Sequence, residues 1–497
     1  VTHAAHLSQG RLLPSDLDEA AHRCLVAGFD GTTTFPDTLK RLIDRGLGGV
    51  ILFTRNVRDA EQVRELTDAL RALRPDLLVA IDNEGGGIGH LVAAGAPEVP
   101  GSYALGVVDD PALTARCADA LAGHLATLGI TASYAPVADL QHRPDNPIVR
   151  TRSFGADPGL AARHLRAWIT ATEGRGIASC AKHFPGHGGT ETDSHHGIAV
   201  DPRPYDELLV DLEPFRAAVA AGVPMLMSAH VVYPALDANR PATLSRRILG
   251  DLLRHDLGFE GVLVSDALEM KAIAERYGEA AGARIALAAG ADQVIVAVPD
   301  LEVTLACRDA VLDALRSGVL IEGRVREAAE RVRRLAERYA TPAGTVAAWD
   351  ADAGPDAARR AVRRAAGSRG VPSAVRGAHV VDLFPPPHPA LNWGGEDLLT
   401  PVFALDPTAV GTAVAGEPAD PAALADGILG RDRPLVLATC DAGLHPWQAR
   451  LRDALLARRP DAIRIDTGLP EGGALCSYGR GRVNLLAVAE VLTGAGA

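Results

Sequence analysis

From about residue 24 to about residue 340 the chain repeats one pattern: a short continuous apolar run, then a longer stretch with apolar residues at three- and four-residue spacing. Short runs bounded by Gly and Pro predict strands buried on both faces, and the longer spacing predicts amphipathic helices. Strands are predicted at 24–29, 49–53, 77–82, 130–136, 177–182, 223–228, 261–266 and 292–297. Helices are predicted at 59–73, 111–128, 158–172, 206–220 and 279–288, with further helical turns from 301 to 338. Strand–helix alternation in one run implies a parallel sheet, and eight repeats imply a closed (β/α)8 barrel of the TIM type over 1–340. Residues 341–375 read as a linker rich in Ala, Gly, Asp and Pro with a basic helical patch at 359–369. Beyond it, strands predicted at 378–384, 401–405, 434–440, 463–466 and 474–478 give a smaller layered α/β domain over 376–497. The run Pro385-Pro386-Pro387 is read as a stiff loop.

Bulk properties narrow the function. At 497 residues the chain exceeds one ordinary core, in keeping with two domains. A net charge of −12 and the lack of a long Lys/Arg run argue against a nucleic-acid partner. No apolar run approaches membrane-spanning length, and the first residues show no charged leader before an apolar core. Six cysteines lie scattered without Cys-x-x-Cys spacing, which fits a reducing compartment and a cytoplasmic location.

Barrels of this kind place their active sites at the carboxyl ends of the strands. Polar residues fall there repeatedly: Asp82 after the third strand, Asp139, Asn146 and Arg152 after the fourth, Lys182 and His183 at the end of the fifth. Asp193 and His195 follow on a glycine-rich loop, His230 follows the sixth strand, and Asp266 ends the seventh. Cations, histidines and carboxylates converging on one rim are a site, since packing has no use for them.

The segment AKHFPGHGGTETDSHHG resembles the signature loop of glycoside hydrolase family 3, in its β-N-acetylglucosaminidase branch. GVLVSDALEMKAI, APVADLQHRPDNPIVRTRSFG, SAHVVYPALD with RPATLSRRIL, and AIDNEGGGIGHL resemble the same family, each at its place along the barrel. The resemblance covers about residues 24–340 closely and the C-terminal part loosely. It implies a retaining exo-β-N-acetylglucosaminidase acting on a small glycoside such as a cell-wall fragment, with no cofactor and no metal. It assigns Asp266 as the nucleophile that forms a covalent glycosyl-enzyme. It assigns His195, oriented by Asp193, as the acid/base, and an imidazole suits that task because its pKa lies near neutrality. It assigns Asp82, Arg152, Lys182 and His183 to the sugar hydroxyls, while Asp139 and Asn146 shape the loop and His187 braces it.

Each residue also has a plainer reading. Ser265-Asp266 can be a helix cap, His195 a loop histidine, and Lys182 and Arg152 members of a structural ion pair. His196 is read as a bystander. One departure stands out: where the family carries an arginine that contacts the sugar, this chain has His90, with Gly87 and Gly89 beside it in place of larger residues. A shorter side chain there weakens one anchor of the sugar pocket. Alternatives follow: a β-N-acetylglucosaminide phosphorylase, a member with altered sugar specificity or lost activity, or a metal-dependent hydrolase using His183, His187, His195, His196 and Asp266. The first strand does not end in the His-x-His that metal-binding barrels of the amidohydrolase kind carry, which disfavours the last.

Overall fold

The computed structural model describes residues 13–195, 197–340, 348–367, 374–386, 397–429 and 432–495. Eight strands, β1 (Leu25–Ala27), β2 (Gly49–Leu52), β3 (Leu78–Ile81), β4 (Ala132–Ser133), β5 (Ala178–Phe184), β6 (Met225–Ser228), β7 (Val262–Ala267) and β8 (Gln293–Val296), form a closed barrel. Each pairs in parallel with the next, and β8 closes on β1. The architecture is therefore the (β/α)8 barrel that the apolar pattern predicts.

The runs are continuously apolar because both faces of the strands are buried. Ile51, Leu78, Ala80, Ala178, Cys180, Met225, Met227, Val262, Val264 and Ile295 point inward to one another. Their neighbours Val50, Leu52, Val79, Ile81, Ala181, Leu226, Leu263, Val294 and Val296 point outward into the layer beneath the helices. The helix Glu322–Tyr339 closes the floor of the barrel, adding Val332, Leu335, Ala336 and Tyr339 to the interior cluster.

The C-terminal part is a five-stranded parallel sheet of β9 (His379–Phe384), β10 (Val410–Ala415), β11 (Leu435–Thr439), β12 (Ile463–Asp466) and β13 (Leu475–Cys476). The strand order is β10-β9-β11-β12-β13, with an apolar cluster on each face. One predicted strand is corrected: residues 401–405 belong to the helix Leu399–Leu405. A short apolar run does not separate strand from helix by period. Here Asp397 accepts the Thr400 N–H and Pro401 sits in the first turn, both helix-starting features. The strand of that region is β10, an edge strand of small, half-exposed residues with little apolar signal.

Within the predicted linker lies the helix Ala353–Gly367, which holds the two parts together. Ala353, Ala357 and Ala361 enter the core of the barrel layer, while Ala358 and Val362 enter that of the C-terminal sheet. Pro355 falls in its first turn, where a missing N–H costs nothing. Residues 341–347, 368–373 and Pro387 lie outside the described residues, as does His196. Among the described residues no helix is long and apolar enough to cross a membrane.

The bridging helix starts against the barrel loop so closely that a Cβ on Gly354 would stand 1.7 Å from the Glu98 carbonyl oxygen. Gly354→Ala is therefore expected to destabilise the chain by about 1–3 kcal/mol through overpacking. Thermal unfolding reads this, and an unchanged midpoint would show that the helix start is not fixed there.

Candidate active site

The inward parity of the barrel strands, continued by one step, brings polar side chains to the mouth. Along β5 it runs Ala178, Cys180, Lys182; along β7 it runs Val262, Val264, Asp266; past β3 it reaches Asp82. These three residues line a cavity of about 610 Å³ at the carboxyl end of the barrel. Irregular register at 182/184 in β5 and at 264/267 in β7 departs from strict alternation, so His183 and Ala267 line the cavity beside Lys182 and Asp266. Such irregularities re-aim side chains where a site needs them.

Two cations on one wall are held by carboxylates. Arg152 makes a bidentate pair with Glu84, with Nε and Nη2 each 2.8 Å from a carboxylate oxygen. The Lys182 ammonium lies 2.6 Å from both Asp82 and Glu84. Glu84 is only 3 % exposed. Burial works to raise the pKa of its carboxyl, but Arg152 and Lys182 outweigh that and hold it well below the usual carboxylate range. Burial likewise works to lower Lys182, and Asp82 and Glu84 reverse it, so the ammonium stays charged. The ion-pair reading of Lys182 and Arg152 thus holds, and both still face the cavity.

A second carboxylate organises the loop. Buried Asp139 accepts the His183 Nδ1–H at 2.7 Å, the His183 backbone N–H at 3.1 Å and the His187 backbone N–H at 2.7 Å. This orients the other His183 nitrogen toward the cavity. Burial pushes His187 down to about 4, so its ring is neutral, and it braces the loop through Ser194 at 3.1 Å and Thr190 at 3.0 Å. Farther along, the Asp193 carboxylate accepts both the His195 backbone N–H at 2.9 Å and the Nδ1–H at 2.7 Å. That fixes the tautomer and turns Nε2 away from the carboxylate. Asp193 is buried, whereas His195 is partly open and lines the cavity.

Asp266 lies at the end of β7, two strands from β5 around the barrel. Burial works to raise its pKa, but the fields of His183, His230 and His195 and the Ala267 N–H at 2.8 Å bring it below the ordinary value. His230, its pKa lowered by burial, donates from Nε2 to the Ala267 carbonyl at 2.9 Å and so pins the turn that carries Asp266. Glu269 three residues on is the opposite case, its pKa raised by burial and by the charge of Asp266. One carboxyl of the cavity is thereby held ionised and its neighbour pushed toward the neutral form.

His90 reaches the cavity rim with its Nδ1 2.9 Å from Thr54 Oγ1 and its ring edge-on to Phe53 at 5.2 Å. Burial lowers its pKa against the pull of Asp82. Asp82, His90, Arg152, Lys182, His183, His195 and Asp266 therefore line one space, and Asp193 reaches it through His195. Glu84, Glu269, Tyr134 and Phe53 also line it and carried no assignment. For Glu84 the signal was available: two cations predicted at one wall require a buried carboxylate, and Glu84 follows Asp82 by two. Among the described residues no group of three His, Cys, Asp or Glu side chains is placed to hold a metal ion.

The ionised form of Glu84 is favoured in the folded state, so its contribution to stability is complete above the ordinary carboxylate pKa of about 4.3 and is lost as pH falls toward the lower folded value. Glu84→Gln leaves Arg152 without its counter-charge and is expected to cost about 3–5 kcal/mol at pH 7. Urea unfolding at pH 7 and below pH 4 checks both points. The gap between variant and wild type narrows in acid; equal stability at pH 7 would contradict the role of Glu84.

Comparison with known proteins agrees with this geometry. Residues 27–335 match the family described as glycosyl hydrolase family 3 N terminal domain. A β-hexosaminidase of Bordetella pertussis is 38% identical over 320 residues, covering 63% of this chain and 87% of that protein. A β-hexosaminidase of Pseudomonas aeruginosa is 43% identical over 277 residues, covering 55% of this chain and 81% of that protein. The solved structure of a family 3 β-N-acetylglucosaminidase from Paenibacillus sp. superposes with a TM-score of 0.84 at 30% identity, covering 97% of each chain. The family match spans well over half of the chain and coincides with the barrel that carries the cavity, so the chain belongs to glycosyl hydrolase family 3 and is a glycoside hydrolase.

Proposed function

We propose that the chain is a retaining exo-β-N-acetylglucosaminidase that removes a terminal β-linked N-acetylhexosamine from a small glycoside, such as a cell-wall fragment. The observation that carries this reading is the His195–Asp193 pair at 2.7 Å opening into the same cavity as Asp266. The β-hexosaminidase names of the relatives support the choice of sugar. In the first step an Asp266 carboxylate oxygen bonds to the anomeric carbon as the glycosidic C–O bond breaks. His195 Nε2–H gives its proton to the departing oxygen. Water then attacks the anomeric carbon, His195 takes a proton from it, and Asp266 is released, so configuration is retained.

Asp82, Lys182, Arg152 and His183 hold the sugar hydroxyls in this scheme. Lys182 is held by Asp82 and Glu84, Arg152 by Glu84 and His183 by Asp139 before substrate arrives, so little reorganisation accompanies binding. His90 supplies a short neutral contact where the family has an arginine, which tunes the sugar that fits. A second acceptor, phosphate, is favoured by one feature: the acid/base is an imidazole, so an anion meets no carboxylate at that position. The six cysteines are buried and lie scattered without Cys-x-x-Cys spacing, which supports a reducing, cytoplasmic setting.

Release of nitrophenol from the β-N-acetylglucosaminide and from the β-glucoside, with and without phosphate, tests the reading. Activity is expected on the acetamido sugar alone. His195→Ala is expected to lose about 10²–10⁴-fold, and Asp266→Ala at least as much. Glu269→Gln, which removes the carboxyl three residues beyond Asp266 in the same cavity, is expected to lose far less. Sugar 1-phosphate formed in phosphate buffer would establish the phosphorylase. Full activity in Asp266→Ala would overturn the mechanism.

A further inference from the structure

The order β10-β9-β11-β12-β13 reverses direction between β9 and β11, and open parallel sheets commonly bind ligands at the carboxyl edge beside such a point. Here that edge is turned toward the barrel. Asp441, just beyond the end of β11, pairs with Arg150 of the barrel at 2.5 Å. Both side chains are almost wholly buried, at 4 % and 6 % exposure. Backbone φ is positive at both residues, 57° at Asp441 and 41° at Arg150, a costly conformation for a residue with a Cβ. Gly468 is obliged to be glycine beside them, since a Cβ there would stand 1.9 Å from Asp441 Oδ1.

Arg150 is two residues from Arg152, which pairs with Glu84 at the sugar wall. Its other guanidinium nitrogen donates to the carbonyls of Pro144 at 2.8 Å and Asn146 at 3.2 Å. Asn146 in turn accepts the Ile148 and Val149 N–H groups at 3.0 and 2.8 Å. Its amide donates to the carbonyls of His187 at 3.0 Å and Thr190 at 3.1 Å. A continuous set of buried polar contacts therefore joins Asp441 to both walls of the cavity. One branch reaches Arg152, and the other reaches the loop that carries Asp193 and His195.

We propose that Asp441 is a positioning residue: the C-terminal domain uses the carboxyl edge of its sheet to clamp Arg150 and so sets the geometry of the sugar wall and the acid/base loop. The proposal rests on the hexosaminidase reading only for its kinetic arm. Asp441→Asn in the full chain is the first variant and Arg150→Lys, which keeps the charge but not the fork, is the second. Glu490→Gln serves as control, because Glu490 pairs with Arg359 between the helices 353–367 and 482–493 and touches none of this network.

In Asp441→Asn and Arg150→Lys, peptides over 144–152 and 187–195 are expected to exchange amide hydrogens about tenfold faster, while those of β1 and β8 match wild type. On the β-N-acetylglucosaminide kcat/KM is expected to fall about tenfold or more, with KM rising. A contact that only stabilised the fold would lower the active fraction and scale the apparent kcat with KM unchanged. Glu490→Gln keeps both constants within about twofold of wild type. Exchange at 144–152 and 187–195 equal to wild type, or raised evenly along the chain, overturns the proposal. A wild type inert on the acetamido sugar would sink the hexosaminidase reading, and the exchange pattern would still decide this one.

Discussion

The site depends on one buried carboxylate. Glu84 stands between Lys182 and Arg152 and neutralises part of each, so two cations remain charged at the wall of a largely apolar cavity. Without it, the lysine would have Asp82 alone to set against burial, and the arginine would lose its bidentate partner. A cation with one face tied to a carboxylate and the other open is a hydrogen-bond donor already in place for a sugar hydroxyl. Ground-state strength is not the point of such a cluster, since buried ion pairs rarely add net stability. In the proposed reaction its use is that the donors need no rearrangement when substrate enters.

The same economy recurs across the cavity. Asp139 serves the His183 ring and two backbone N–H groups, and Asp193 serves the His195 ring and its N–H. Each carboxylate thus fixes a tautomer and a loop conformation together. Asp266 and Glu269, close in sequence on one strand end, are pushed in opposite directions by their surroundings. The histidines around Asp266 favour its ionised form, whereas Glu269 meets burial and the like charge of Asp266. An ionised carboxylate and a separate imidazole facing one cavity follow from that arrangement, which is what the proposed mechanism requires.

Much of this was legible in the sequence because the barrel is a regular object. Short apolar runs at even spacing gave its eight strands, and the rule that strand ends carry the chemistry gave Asp82, Lys182, His183 and Asp266. The dyad followed from resemblance in a loop whose crowded polar residues have no packing reason. The misreadings came where local pattern is weak. Residues 401–405 looked like a strand because four apolar residues have no decisive period, and the edge strand Val410–Ala415 was hidden by its small residues. Arg150 and Asp441 were invisible for a different reason: they are 291 residues apart, and nothing local to either marks the pair.

The most direct measurement of the central claim is trapping of the glycosyl-enzyme with a slow fluorinated N-acetylglucosaminide, followed by intact mass and peptide mapping. The account predicts one sugar per chain, attached within the peptide that contains Asp266, and its absence in Asp266→Ala. An adduct on Glu269 or on another carboxyl, or turnover with no covalent species and an inverted product, would contradict it.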